Sequence, residues 1–218
     1  MIETGVYFGD VHSSLDLDLI LSEVNIPPAE PKTNYIDVPG RDGSLDLTEA
    51  HGLVKYKDRD CKFVFTVSPE DILTFEERKT HVSNTLNGRK CKIILDKDPD
   101  YYYQGRLTVD EYLQNRNLLK IVVTARIAPY KLKQKITIAT FNVTTTEKLI
   151  IIKNDRKQVV PKITCTAETT FTFEGNQFTL SAGTHQVLDV LLSEYDNIFR
   201  VYATENGTVT FEYQEGAL

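Results

Sequence analysis

Tryptophan is absent from this chain, methionine occurs once, and cysteine occurs three times in 218 residues. The cysteines, Cys61, Cys91 and Cys165, are odd in number, far apart and without a Cys-x-x-Cys pair. That spacing argues against a disulfide framework and against a zinc site, and core thiols are the expectation. No apolar run is long enough to cross a bilayer, and the opening M-I-E-T-G-V lacks the basic start and apolar core of a signal peptide. The expectation is a protein made in a cytoplasm and not inserted in a membrane. An excess of positive charge is missing too. The formal net charge of -6 argues against sequence-specific or sticky nucleic-acid binding, because phosphate affinity needs clustered Lys and Arg that release counterions.

Catalytic signatures are equally scarce. There is no G-x-S-x-G, no H-E-x-x-H and no phosphate-cradling glycine loop, and His12, His51, His81 and His185 lack a nearby nucleophile signature. No catalytic residue, cofactor or metal ligand is expected from these patterns. Spacing alone does not exclude a spatial pair of acids among 31 Asp and Glu residues, which is all a glycosidase needs, but solvated polar faces are the ordinary use of such residues.

What is present is turn chemistry and strand alternation. In D-V-P-G-R-D-G-S-L-D-L-T-E, Asp37 to Glu49, Pro39 fixes its own φ, Gly40 permits positive φ, and Asp42-Gly43 is a tight-turn pair flanking Arg41. A sharp bend followed by a strand is predicted, with Leu45 and Leu47 on one face and Ser44, Asp46 and Thr48 on the other. A calcium loop would put Asp42 at position 5, Gly43 at position 6 and Glu49 at position 12. Val38 and Gly40 would then occupy positions 1 and 3 without carboxylates, so a structural turn is the reading.

Alternation predicts an amphipathic strand over Leu15 to Leu19 with Asp16 and Asp18 towards water, and Pro27, Pro28 and Pro31 predict an extended arm. Cys61 to Val67 reads as a strand. A helix is predicted from a Thr74/Glu77 capping box, with Phe75, Val82 and Leu86 on its apolar face, ending at Gly88 beside Arg89 and Lys90. Cys91 to Leu95 and Tyr101 to Val109, through Gln104-Gly105-Arg106, form a hairpin in which at least one of three consecutive tyrosines should be exposed. Leu118 to Ala128 is the cleanest long strand. Beyond Pro129 to Lys135 the composition turns Thr-rich and β-branched. Seven strands are predicted there: Ile136 to Val143, Leu149 to Ile152, Pro161 to Ala167, Thr170 to Phe173, Gln177 to Leu180, Ile198 to Ala203 and Thr208 to Tyr213. Hairpin turns are expected at Glu174-Gly175-Asn176 and Glu205-Asn206-Gly207, and Val187 to Leu192 fits either a strand or a short helix. The fold class is mainly β (α+β), in two domains, 1–130 and 131–218.

The order of parts resembles the distal tail protein (Dit) family of long flexible-tailed bacteriophages. The resemblance rests on V-P-G-R-D-G-S-L-D-L-T-E at Val38 to Glu49, L-N-G-R-K at Leu86 to Lys90, Y-Q-G-R-L-T-V at Tyr103 to Val109, and the closing T-V-T-F-E-Y-Q-E-G-A-L. It implies an N-terminal ring-forming belt domain with one helix and a C-terminal galectin-like β-sandwich, similar to a carbohydrate-binding module. It implies a hexameric hub at the virion tail tip, assembled in the bacterial host cytoplasm. Its implied partners are the major tail tube protein, a tail-associated tip protein and receptor-binding or baseplate proteins, with DNA passing through the hole. An enzyme is not expected. Candidate lumen-facing acids are Asp16, Asp18, Asp42 and Asp46, since a neutral or acidic wall would leave DNA mobile. Two alternatives stand beside the hub: a carbohydrate-binding module, whose mark would be a row of exposed aromatics on one sheet face that Phe171, Phe173, Tyr202 and Tyr213 do not establish from sequence, and a tail-associated hydrolase, which needs paired acids in a cleft.

Overall fold

The computed structural model describes residues 5–50, 52–67, 72–115 and 118–218, with all of their side chains except those of 72–75, 111, 113–115 and 118. The chain packs as two compact units, Met1–Lys131 and Leu132–Leu218. The first contains β1 (Val6–Phe8), β2 (Val11–His12), β3 (Ile20–Asn25), β4 (Tyr35–Asp37), β5 (Ser44–Asp46), β6 (Arg59–Val67), α1 (Ile72–Leu86), β7 (Lys90–Leu95), β8 (Tyr101–Asn115) and β9 (Leu118–Ile127). A short strand, β10 (Lys131–Lys133), lies where one unit gives way to the next. The second holds β11 (Thr137–Val143), β12 (Lys148–Asn154), β13 (Lys162–Cys165), β14 (Thr169–Phe173), β15 (Asn176–Leu180), β16 (Gly183–Gln186), β17 (Tyr195–Ala203), β18 (Gly207–Tyr213) and β19 (Gly216–Ala217).

The main sheet of the first unit runs β2-β1-β7-β8-β9-β6-β3, antiparallel throughout. Its inner face is dictated by alternation. Leu119, Ile121, Val123, Ala125 and Ile127 of β9 lie beside Cys61, Phe63, Phe65 and Val67 of β6 in one buried cluster, and α1 adds Val82 and Leu86. Phe8 meets Phe63 and Phe65 edge-on, at centroid distances of 5.5 and 6.1 Å. Each such ring removed from water contributes roughly 1.5–3 kcal/mol to the core on this face.

Several sequence expectations are corrected here. Leu15 to Leu19 is a turn and not a strand: Leu17 and Leu19 are buried as alternation requires, yet Asp18 sits at φ 52. The cause is local bonding, with the Asp16 amide on the His12 carbonyl (3.1 Å) and the His12 amide on the Asp16 carboxylate (2.7 Å). The helix starts at Ile72, so Thr74 and Glu77 stand inside it and cannot be its N-terminal capping pair; the side chains of Thr74 and Phe75 lie outside the described residues. None of Tyr101, Tyr102 and Tyr103 is exposed. Cations cover the rings: Lys131 lies 4.3 Å from the Tyr101 ring centroid, Lys92 4.5 Å from that of Tyr102, and the Arg59 guanidinium 5.3 Å from that of Tyr103.

The second unit is a two-sheet sandwich, β11-β18-β13-β16 over β12-β17-β14-β15, with one shared core around Phe171, Phe199 and Phe211. Strand β18 points Val209, Phe211 and Tyr213 inward. The strand β16 was not expected from sequence. Residues Val187 to Leu192 are neither strand nor helix: the Val190 amide bonds the Val187 carbonyl in a turn, which buries Val190 and Leu192. Glu205-Asn206-Gly207 is not a hairpin turn, because β17 and β18 belong to different sheets. The passage is held instead by Thr204 and Thr208 amides bonding the 166–168 segment.

Candidate functional site

The arm between β3 and β6 doubles back on itself. The Lys32 amide bonds the Lys55 carbonyl (2.7 Å), the Lys57 amide bonds the Glu30 carbonyl (2.8 Å), and β4 pairs with β5 as a separate two-stranded sheet. Gly40 and Gly43 take φ 80 and 73, so the tip turns where side chains would strain the backbone. Pro39, Arg41 and Asp42 occupy this tip. Every residue from 31 to 44 is exposed, including Tyr35 at 59%, Ile36 at 46% and Val38 at 40%. An isolated two-stranded hairpin is marginal in water, and exposed apolar residues concentrated on one mark a surface that gains from being covered. The Ser44 hydroxyl donates to Asp37 (2.6 Å), and the Thr48 hydroxyl and amide hold the Asp46 carboxyl below its usual range.

The other quoted motifs meet each other. Gly88, at φ 76, ends α1; its amide bonds the Leu107 carbonyl (2.9 Å), and its carbonyl accepts from Arg106 Nη1 (2.7 Å). A Cβ at Gly105 would lie 2.5 Å from the Arg126 carbonyl oxygen, so only glycine lets β8 approach β9 there. Around this crossing the register aligns Lys90 with Arg106, Arg106 with Arg126, and Arg126 with Asp60. Directly paired residues share a sheet face, so three cations stand side by side across β7, β8 and β9, in a shallow groove of ≈ 700 Å³ that also takes in Asp58. No sequence signal pointed to this row, because its members are brought together only by strand register.

The four candidate acids fall into two places. Asp42 and Asp46 belong to the β4–β5 hairpin, whereas Asp16 and Asp18 lie in the turn before β3, with Asp18 3.5 Å from Arg78 of α1.

One arrangement looks catalytic at first sight. Ser14 Oγ lies 3.2 Å from His12 Nδ1, and His12 Nε2 lies 3.2 Å from Asp96. The Leu15 amide also donates to Nδ1 (3.2 Å), so Nε2 carries the proton and donates to Asp96, and the single lone pair of Nδ1 is shared by two donors. The ring is buried against a backbone so close that a Cβ at Gly5 would sit 2.4 Å from Nε2. It clamps a turn and has no room beside it for a substrate. His81 is exposed, His185 is half-buried, and His51 lies outside the described residues. The aromatic row that a glycan platform requires is not formed by the residues named for it: Phe171, Phe173 and Tyr213 are core, and of the four only Tyr202, at 37%, reaches the surface.

Among the described residues, a β-rich unit with one helix is followed by a two-sheet sandwich, and a solved structure shares this fold. The structure of SPP1 Dit (gp 19.1), described as a paradigm of hub adsorption apparatus in Gram-positive infecting phages, matches with a TM-score of 0.69 over 97% of this chain and 98% of that one, at 14% identity. The resemblance to the Dit family seen in the sequence therefore holds at the level of the fold. No family model matches this chain, and no curated protein does.

Proposed function

We propose that this protein is a structural subunit of a phage tail tip, in which copies close into a hexameric ring that joins the tail tube to tip or baseplate proteins and lets DNA pass. The observation that carries the reading is the fold shared with SPP1 Dit along nearly the full length of both chains. The uncovered hairpin supports it, since one heterologous contact repeated by a fixed rotation closes a ring. In this reading the first unit forms the ring and the second offers further docking surface. Activity is assembly, with no catalytic step assigned. The channel wall is neutral or acidic, with Asp16 its foremost candidate because Asp18 has a cationic neighbour. Native mass spectrometry tests the central claim: six chains of 24.8 kDa give a particle of about 150 kDa. A chain that stays at 24.8 kDa at every concentration overturns it. Assembly by residues 132–218 alone, and not by 1–131, would reverse the roles of the two units.

A further inference from the structure

The row of Lys90, Arg106 and Arg126 is an anomaly in a chain whose net charge is -6. Like charges directly opposite one another on a sheet disfavour the pairing that holds them there. Local neutralisation is incomplete. Arg126 has Asp58 at 3.3 Å and Arg106 bonds the Gly88 carbonyl, while among the described residues Lys90 has no carboxylate within ion-pair distance. The β4–β5 hairpin and the residues flanking it show the opposite imbalance: Asp37, Asp42, Asp46 and Glu49 against Lys32 and Arg41. The match extends to the minority charges, because Asp58 and Asp60 edge the groove and would meet Arg41. Those same two carboxylates make the groove a poor seat for a phosphate backbone. They suit a peptide surface that is mainly acidic with a minority of cations.

We infer that the groove crossed by Lys90, Arg106 and Arg126 seats the acid-rich β4–β5 hairpin from a second copy of this chain. The inference rests on the ring reading above and names the contact that would close it. Seating the tip covers exposed apolar residues Ile36 and Val38 and supplies carboxylates to the cationic row. Its electrostatic part strengthens as salt is lowered.

The test is a charge swap in the full chain, read by native mass spectrometry and sedimentation. Lys90→Glu with Arg126→Glu spares Arg106, which is tied to the helix end, and Asp42→Lys with Glu49→Lys spares Asp46, which is tied to Thr48. Each pair alone should raise the assembly midpoint by at least about tenfold, and the two pairs combined should return it to within about threefold of the original chain. Raising salt should weaken the unmodified assembly, a readout that needs no substitution. Additive losses without rescue overturn the contact, as does an assembly indifferent to salt and to both reversals. Sensitivity to the hairpin pair alone also overturns it, since the groove would then belong to another partner. An unmodified chain that never assembles removes the ring reading itself, which distinguishes that failure from failure of the contact.

Discussion

The chain builds two hairpins from the same turn chemistry and gives them different fates. In β14–β15, Glu174 and Gly175 take φ 48 and 82, the primed geometry that matches strand twist. That hairpin is then finished by its surroundings: β14 also pairs with β17, and Phe171 stacks on Phe178 at 5.4 Å inside the sandwich core. In β4–β5, Gly40 and Gly43 supply the same backbone freedom, but among the described residues β4 and β5 pair only with each other and no core cluster contains their side chains. Turn residues make a hairpin accessible, and a third strand or a covering face makes it stable. The first hairpin is completed by its own unit, and the second leaves Tyr35, Ile36 and Val38 exposed.

The comparison is broken most forcefully in the core. Phe171→Ala should destabilise the sandwich by about 3–5 kcal/mol, whereas Ile36→Ala should change the monomer by no more than about 0.5 kcal/mol and weaken assembly instead. Denaturant titration of dilute protein checks both; equal losses would show that the exposed hairpin is already part of a core.

Glycine replacement sharpens the same contrast. Gly175→Val and Gly43→Val each force a β-branched residue to positive φ, at a local cost of about 1–3 kcal/mol. The first should appear as global destabilisation of the sandwich. The second should appear only as faster amide exchange across Tyr35–Asp37, with the unfolding midpoint of the monomer unmoved and assembly weakened. Calcium should shift neither melting curve.

A third test concerns the sandwich alone. Burial, followed by the nearby Glu215 carboxylate, pushes the Tyr213 phenol up to about 12 from an unfolded value near 10, and its hydroxyl donates to the Lys153 carbonyl. Here the folded state holds the proton that the unfolded state releases. The associated stability is complete below about pH 10 and is lost as pH rises from there towards about 12. Tyr213→Phe should flatten this alkaline slope while costing about 1 kcal/mol at neutral pH through the lost hydrogen bond.

The smallest effect is kinetic. Burial pushes all three thiols up, Cys61 to about 11, and Cys61 Sγ donates to the Ala125 carbonyl. At pH 8 the half-buried Cys91 should be labelled first, with Cys61 and Cys165 reacting only as their own units open. Their separate rates would measure how independently the units open.

Periodicity revealed the strands whose faces are set by burial. Leu119 to Ile127 and Val209 to Tyr213 alternate because one side of each must leave water, and the structure buries those same residues. The bend at Gly40 to Gly43 was legible for the same kind of reason, since few residues tolerate positive φ. Alternation failed at Leu15 to Leu19 because a turn can bury Leu17 and Leu19 as well as a strand can, and the His12 and Asp16 bonds decided between them. The hairpin expected at Glu205 to Gly207 failed because a turn signal marks a reversal without naming the sheet that the next strand joins.

By itself, then, the sequence determined which residues must be hidden and where the backbone must bend, since both follow from side-chain hydrophobicity and local φ preference. Tertiary structure alone decided that Lys90, Arg106 and Arg126 become neighbours, that Phe171 and Phe173 are core where a glycan platform would expose them, and that one hairpin is covered while the other stands open. Those outcomes depend on strand register and sheet order. Both are fixed by contacts between residues distant in the chain, a distance across which local pattern carries no information.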